Sequence, residues 1–187
     1  MNTIKLESLG LEYPSEWSYT FGGEVSSVEL AVIKNHLKKR NNQKGFIKDL
    51  GKSLVVLALD QIIGRNDGVC ISYTDTKELI AFVKRGLPEP ATTFVKGHEE
   101  AHALINSGEY NLLENQLLKS PCNREVVYSV RTDESRAHLG GVHAVLRKYG
   151  CQGLKQLKEK MNLKNVQEYL TLRLAIAAGL QREVNLL

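Results

Sequence analysis

The sequence predicts an α+β fold, mostly helical, with a small β-hairpin or sheet beside one polar helix that carries two histidines four residues apart. Three observations carry that expectation. Apolar residues recur at helical spacing through most of the chain. Between residues 68 and 85 the pattern changes to β-branched and aromatic residues around a short polar turn, GVCISYTD and then KELIAFVKR. Glycines and prolines at 64, 88, 90, 108, 121 and 150 fall where these segments end.

Residues 1–23 mix Gly, Pro, Ser and aromatics without a clear period and read as an irregular arm with room for one short strand. A helix starts at Ser26 or Ser27, where a serine cap is followed by Glu29 in the first turn and by Val28, Leu30, Ala31, Ile33 and Leu37. A second helix fits 45–63 through Phe46, Ile47, Leu50, Leu54, Val55, Leu57 and Ile62, with Gly64 after it. The hairpin at 68–85 follows and ends at Pro88 and Pro90; Thr92 or Thr93 then caps a helix running to about 107, which Gly108 stops. Residues 109–119 read as helix again, and 125–130 (EVVYSV) as a short strand or extended connection. Asp133 stands where a helix cap would, before a helix to Tyr149 with Gly150 at its end. The remainder reads as two helices split near Asn162.

No internal repeat or low-complexity linker interrupts this order, so the expectation is one domain over 1–187: an arm and helix (1–44), a core (45–150) and C-terminal helices (151–187). A hydrophobic share of 42% with 25% charged residues argues against extensive disorder. The net charge of +4 is too small to point to nucleic acid by itself. Lys34, Lys38, Lys39, Arg40, Lys44, Lys48 and Lys52 do cluster, with Phe46 the sole aromatic among them, and a solvated helix end accounts for them. Cys70, Cys122 and Cys151 are odd in number and lack CxxC spacing, which suggests a reducing compartment. The first residues lack the apolar run of a secretory signal, and LVVLAL (54–59) is too short to span a bilayer. The expectation is therefore cytoplasmic, with no membrane partner and no assigned oligomeric state.

FVKGHEEAHAL (94–104) is the segment that carries chemistry. His98 and His102, four apart on a helix, lie one above the other and can converge on one zinc ion. Glu99 is rotated about 100° from His98 on a helix of 3.6 residues per turn, which leaves it to act on a water as general base. This is the H-E-x-x-H signature of metallopeptidases. A catalytic zinc needs a third protein ligand, and TDESRAHLGGVHAVL (132–146) offers Glu134, His138 and His143. Four of the five histidines thus fall in two short segments.

The chain resembles the ImmA/IrrE-type metallopeptidases, in the gluzincin branch of the zincins. TTFVKGHEEAHAL matches that family's "rrFtlaHElgHall" element, with Phe94 in the aromatic position, and the predicted hairpin lies just upstream as the family's strands do. DESRAHLGG matches its "E-x-x-A-N/D-x-F-A" element. The resemblance covers about residues 45–147 and implies a zincin-like fold with His98, His102 and Glu134 as zinc ligands, Glu99 as general base, and a repressor-like protein substrate. The chain departs from the pattern at Glu100, where the family is uncharged and a solvent-facing side chain is expected; at His138, where it has Asn or Asp; and at Gly140-Gly141, which replace Phe-Ala. His138 is open as a supporting residue or as a ligand in place of Glu134.

His143 lies nine residues past Glu134, half a turn away, and is expected off the metal face as a core or surface histidine. Tyr128, Tyr110, His138 and His143 are the candidates for a donor to a transition-state oxyanion, and strand 78–84 is the expected open edge for an extended substrate. His36 reads as solvated. Cys70 reads as a buried apolar residue, with a latency-holding thiolate as its sharper alternative. Together these readings predict a zinc-dependent metallopeptidase acting on a peptide or protein. The rival readings are a zincin-like fold without activity and a helical DNA- or protein-binding module with an accidental HExxH.

Overall fold

The computed structural model describes residues 1–43, 67–119 and 132–160. The expected helix at 45–63, the extended segment with Tyr128, and the C-terminal residues from 161 lie outside them. The fold is α+β. Its strands are β1 (Asn2–Leu6), β2 (Leu11–Ser15), β3 (Ser18–Val25), β4 (Gly68–Tyr73) and β5 (Glu78–Lys84). Its helices are α1 (Ser27–Gln43), α2 (Glu89–Ser107), α3 (Asn111–Lys119) and α4 (Asp133–Lys160). Among them none is long and apolar enough to cross a membrane.

The irregular arm expected over 1–23 is instead three strands. β1 and β2 form an antiparallel hairpin that buries alternate residues, Ile4 and Leu6 from one strand and Tyr13 and Ser15 from the other. Each strand offers only two inward positions, too few for a period to emerge from sequence. β3 pairs in parallel with β5, and β4 pairs with β5 antiparallel, giving the order β3-β5-β4. The 68–85 hairpin is present as expected, but β5 is the central strand of the three-stranded sheet, so 78–84 is not the open edge expected; among the described residues the edge strands are β3 and β4.

α1 begins as the sequence predicts. The Ser26 hydroxyl accepts the Glu29 N–H (3.2 Å) and the Glu29 carboxylate accepts the Ser26 N–H (2.7 Å), a reciprocal cap. α2 starts earlier than expected, at Glu89 with Pro88 preceding it. Pro90 sits in the first turn, where a missing N–H costs nothing, so it opens the helix instead of delaying it. α4 is capped by the Thr132 hydroxyl, which accepts the Ser135 N–H, and not by Asp133, which is the first helical residue. At Gly150 it breaks and then resumes to Lys160.

The core lies where α2 crosses α4. Ala101, Leu104, Ala137, Val142 and Val145 are buried there, with Ile4, Leu6 and Leu9 of the hairpin on one side and Leu79 of the sheet on another. The crossing is close because it is made of small residues. A Cβ on Gly97 would stand 2.4 Å from the Ala144 Cβ, and one on Gly140 would stand 2.9 Å from the Gly97 carbonyl oxygen. At Gly141 a Cβ would meet the Phe94 carbonyl oxygen at 2.8 Å. Gly140-Gly141 thus departs from the resembled pattern because the two helix backbones nearly touch there. That closeness brings the acidic first turn of α4 up to the histidine face of α2.

Candidate metal centre

His98 and His102 project from one face of α2 with their Nε2 atoms 3.1 Å apart. Glu134, in the first turn of α4, reaches across: its Oε1 lies 3.3 Å from His102 Nε2 and its Oε2 lies 3.5 Å from His98 Nε2. Two imidazoles and a carboxylate are a zinc donor set, and donors at about 2.0–2.1 Å from a tetrahedral ion stand about 3.3–3.4 Å from one another. The observed spacings bracket that edge length. These three residues fit zinc. The imidazoles are largely buried, whereas the Glu134 side chain is 61% exposed, so the site opens towards solvent on the α4 side.

The electrostatics favour a cation. Hydrogen bonds from His102 and His98 hold the Glu134 carboxyl far below the usual carboxylate range. Burial alone would lower His102, but its bond to Glu134 and the charges of Glu99 and Glu134 carry it upward. Burial holds His98 down at about 4, so without metal its imidazole is neutral.

Glu99 follows His98 and is 5% exposed. It turns towards β4, where Gly68 leaves space: a Cβ on that glycine would stand 2.5 Å from Glu99 Oε1. The carboxylate accepts the Cys70 N–H of the same strand. Burial pushes Glu99 up to about 7, against the pull of the His102 and Lys34 charges and the Cys70 bond. A carboxyl group with that value can both take and give up a proton near neutrality. Burial also pushes the Cys70 thiol up, with the Glu99 charge adding to it, so the group is a thiol near neutral pH.

In the metal-free protein Glu99 and His98 bias stability in opposite senses. Glu99 is raised from 4.5 to about 7, so its contribution is full below pH 4.5 and fades as the pH climbs to about 7. His98 is lowered from 6.5 to about 4, so its contribution is full above pH 6.5 and fades as the pH falls towards 4. Glu99→Gln removes the first and leaves the second. Melting curves of metal-free protein should therefore show the variant losing stability more steeply than the parent on acidification across this range. Parallel curves would mean that Glu99 ionises normally in the fold.

Glu100 is a correction to the sequence reading. It does not face solvent but is fully buried at 0% exposure. Its carboxylate accepts the Ser8 N–H (3.2 Å) and the Leu9 N–H (3.0 Å), which ties the β1–β2 turn to α2. Burial raises its pKa, and those two bonds offset part of the rise. Nothing in the sequence marks Ser8 and Leu9 as its partners, because the contact joins residues about ninety positions apart.

His138 sits beside the metal face with its ring against His98, whereas His143 faces elsewhere. His143 Nε2 lies 3.1 Å from Gln116 Oε1, on the side where α4 meets α3, as the half-turn offset predicts. Tyr110 is buried and donates its hydroxyl to the Arg136 carbonyl oxygen, so that donor is already committed. Tyr128 lies outside the described residues. Comparison with known proteins finds no matching family model, no matching curated protein and no matching solved structure.

Proposed function

We propose that this chain is a zinc-dependent metallopeptidase of zincin-like fold, with His98, His102 and Glu134 holding the ion and Glu99 acting as general base. The observation that carries the reading is the meeting of His98 Nε2 and His102 Nε2, 3.1 Å apart, with the Glu134 carboxylate, beside a buried carboxylate on the helix that carries the histidines. Glu134 Oε1 lies 3.3 Å from His102 and its Oε2 lies 3.5 Å from His98. Zinc, when bound, supplies Lewis acidity that polarises a peptide carbonyl and makes water nucleophilic near neutral pH. Glu99 takes the proton from the attacking water and passes it to the leaving amine, the two steps for which a carboxyl raised to about 7 is suited.

An extended peptide has a place to lie. β4 pairs with β5 on one side only among the described residues. Asp67 O accepts the Lys84 N–H, and the alternation of an antiparallel ladder then turns the polar groups of Gly68 and Ser72 and the Cys70 carbonyl outward, the Cys70 N–H being held by Glu99. A substrate strand added there runs past Glu99 and the histidines, with main-chain bonds supplying affinity. The substrate class is thus an unfolded or extended segment of a peptide or protein.

Metal content of tag-free protein, measured by mass spectrometry, tests the reading. About one zinc per chain is expected for a single tetrahedral site, and Glu134→Ala should lose most of it. Loss as complete in His138→Ala would make His138 a ligand. If the parent protein, refolded with zinc, holds none, the peptidase reading falls.

A further inference from the structure

A metal-binding histidine usually donates its second ring nitrogen to a carboxylate, carbonyl or water, which fixes the ring's orientation. His98 departs from that arrangement. Its Nε2 faces His102 and Glu134, while its buried Nδ1 finds no hydrogen-bond partner among the described residues. Three rings surround it instead. His138 stands perpendicular to it at 4.7 Å between centroids, His102 lies at 4.7 Å and 77°, and Phe94 at 6.3 Å. Phe94 and His138 also meet edge-on at 5.9 Å, so the two rings that are not donors form one continuous wall. Edge-to-face geometry is the attractive arrangement for such pairs.

The His138 ring is itself fixed. Its Nδ1 lies 2.6 Å from the Glu134 carbonyl oxygen one turn earlier on α4, so Nδ1 carries the hydrogen and donates it. One residue therefore serves the site twice, because the Glu134 carboxylate meets the two histidines while its carbonyl aims the ring that walls His98. His138 is not part of the donor group, which comprises His98, His102 and Glu134.

We propose that His138 is a positioning residue for His98 that works as an aromatic wall, not as a ligand or proton carrier. This deepens the proposed function and rests on it where metal is concerned. The wall takes the place of a partner for His98 Nδ1 among the described residues: it excludes rotamers that would turn Nε2 away from Glu134, so His98 is preset before metal arrives. A flat ring is what the position needs, and the second ring nitrogen of His138 is dispensable.

The test compares His138→Phe, His138→Asn and His138→Ala with the parent in two measurements. In zinc-free protein, nuclear Overhauser contacts from the His98 ring to the His102 and Phe94 rings are read by NMR. They should be kept in the parent and in His138→Phe, and should weaken in His138→Ala and His138→Asn as the His98 ring leaves its orientation. Zinc affinity, by competition with a chromophoric chelator, should fall about 10–100-fold in the Ala and Asn variants, the usual cost of losing a support of a ligand, and stay close to parent in His138→Phe. A Phe variant as weak as Ala means that a nitrogen is required, and an Ala variant as tight as parent means that the ring is idle; either overturns the proposal. Thermal melts show whether each variant is folded, and His138→Tyr replaces the Phe variant if that one melts early. If the parent binds no zinc, the metallopeptidase reading fails, while the Overhauser contacts still decide whether His138 orients His98.

Discussion

Glu99→Gln should abolish peptide hydrolysis while leaving the zinc in place. Glutamine has the shape of glutamate and keeps an oxygen to accept the Cys70 N–H, so the contact with β4 survives. What disappears is a basic site for the proton. Removing a general acid–base group typically costs about 10²–10⁴ in rate, and here one group serves both proton transfers. The measurement is turnover of a proteome-derived peptide library by the zinc-loaded protein, with metal content determined on the same sample. Turnover lost with zinc retained assigns the base. Turnover that persists would move the base elsewhere, and absence of turnover in the parent would favour a zinc-binding fold without activity. Acidification should mimic the substitution, since Glu99 becomes protonated and cannot accept. The group's position near 7 in the absence of metal comes from burial, so it depends on the closeness of β4 that Gly68 permits.

How much of this site was legible in the sequence follows from where its information lies. His98, Glu99 and His102 are separated by helical arithmetic, and a spacing of four suffices to place two imidazoles on one face. Glu134 was legible as a residue through the resemblance, but its approach depends on the Gly97, Gly140 and Gly141 crossing, which is a property of two helices and not of either. The hairpin at 68–85 was readable because β4 and β5 are local partners with a short turn. β3 was not readable, because it joins the sheet in parallel from a distant part of the chain and its Gly22-Gly23 bulge breaks the alternation that marks a strand. For the same reason β5 was mistaken for an edge. The first turn of α2 was misplaced through a general expectation about proline that the first-turn exception overrides. Glu100 was misread for a deeper reason. On a helix with polar residues on several faces, composition cannot say which carboxylate is solvated, and its burial is decided by two backbone N–H groups in another element.

That burial sets the second large effect. Glu100→Ala should lower the stability of the whole fold. The substitution leaves the Ser8 and Leu9 N–H groups facing a vacated space with no acceptor. A buried donor left unsatisfied costs about 1–3 kcal/mol, and relief of a carboxylate that burial disfavours returns part of it. The net expectation is a loss of about 2–4 kcal/mol, or roughly 5–15 °C in melting temperature for a chain of this size. Glu100→Gln retains one acceptor oxygen and should lose less than half as much. Hydrogen exchange locates the damage: the Ser8 and Leu9 amides should lose protection first, because the turn between β1 and β2 is tied to α2 through this carboxylate. The hairpin also carries Ile4, Leu6 and Leu9 into the shared core, so its release exposes one flank of the helix that holds His98 and His102. Zinc should therefore stabilise Glu100→Ala by no more than it stabilises the parent, since part of its binding energy goes into restoring order that the parent already has. If Glu100→Ala melts with the parent and keeps both amides protected, the turn is held by packing alone and the buried carboxylate is not its anchor.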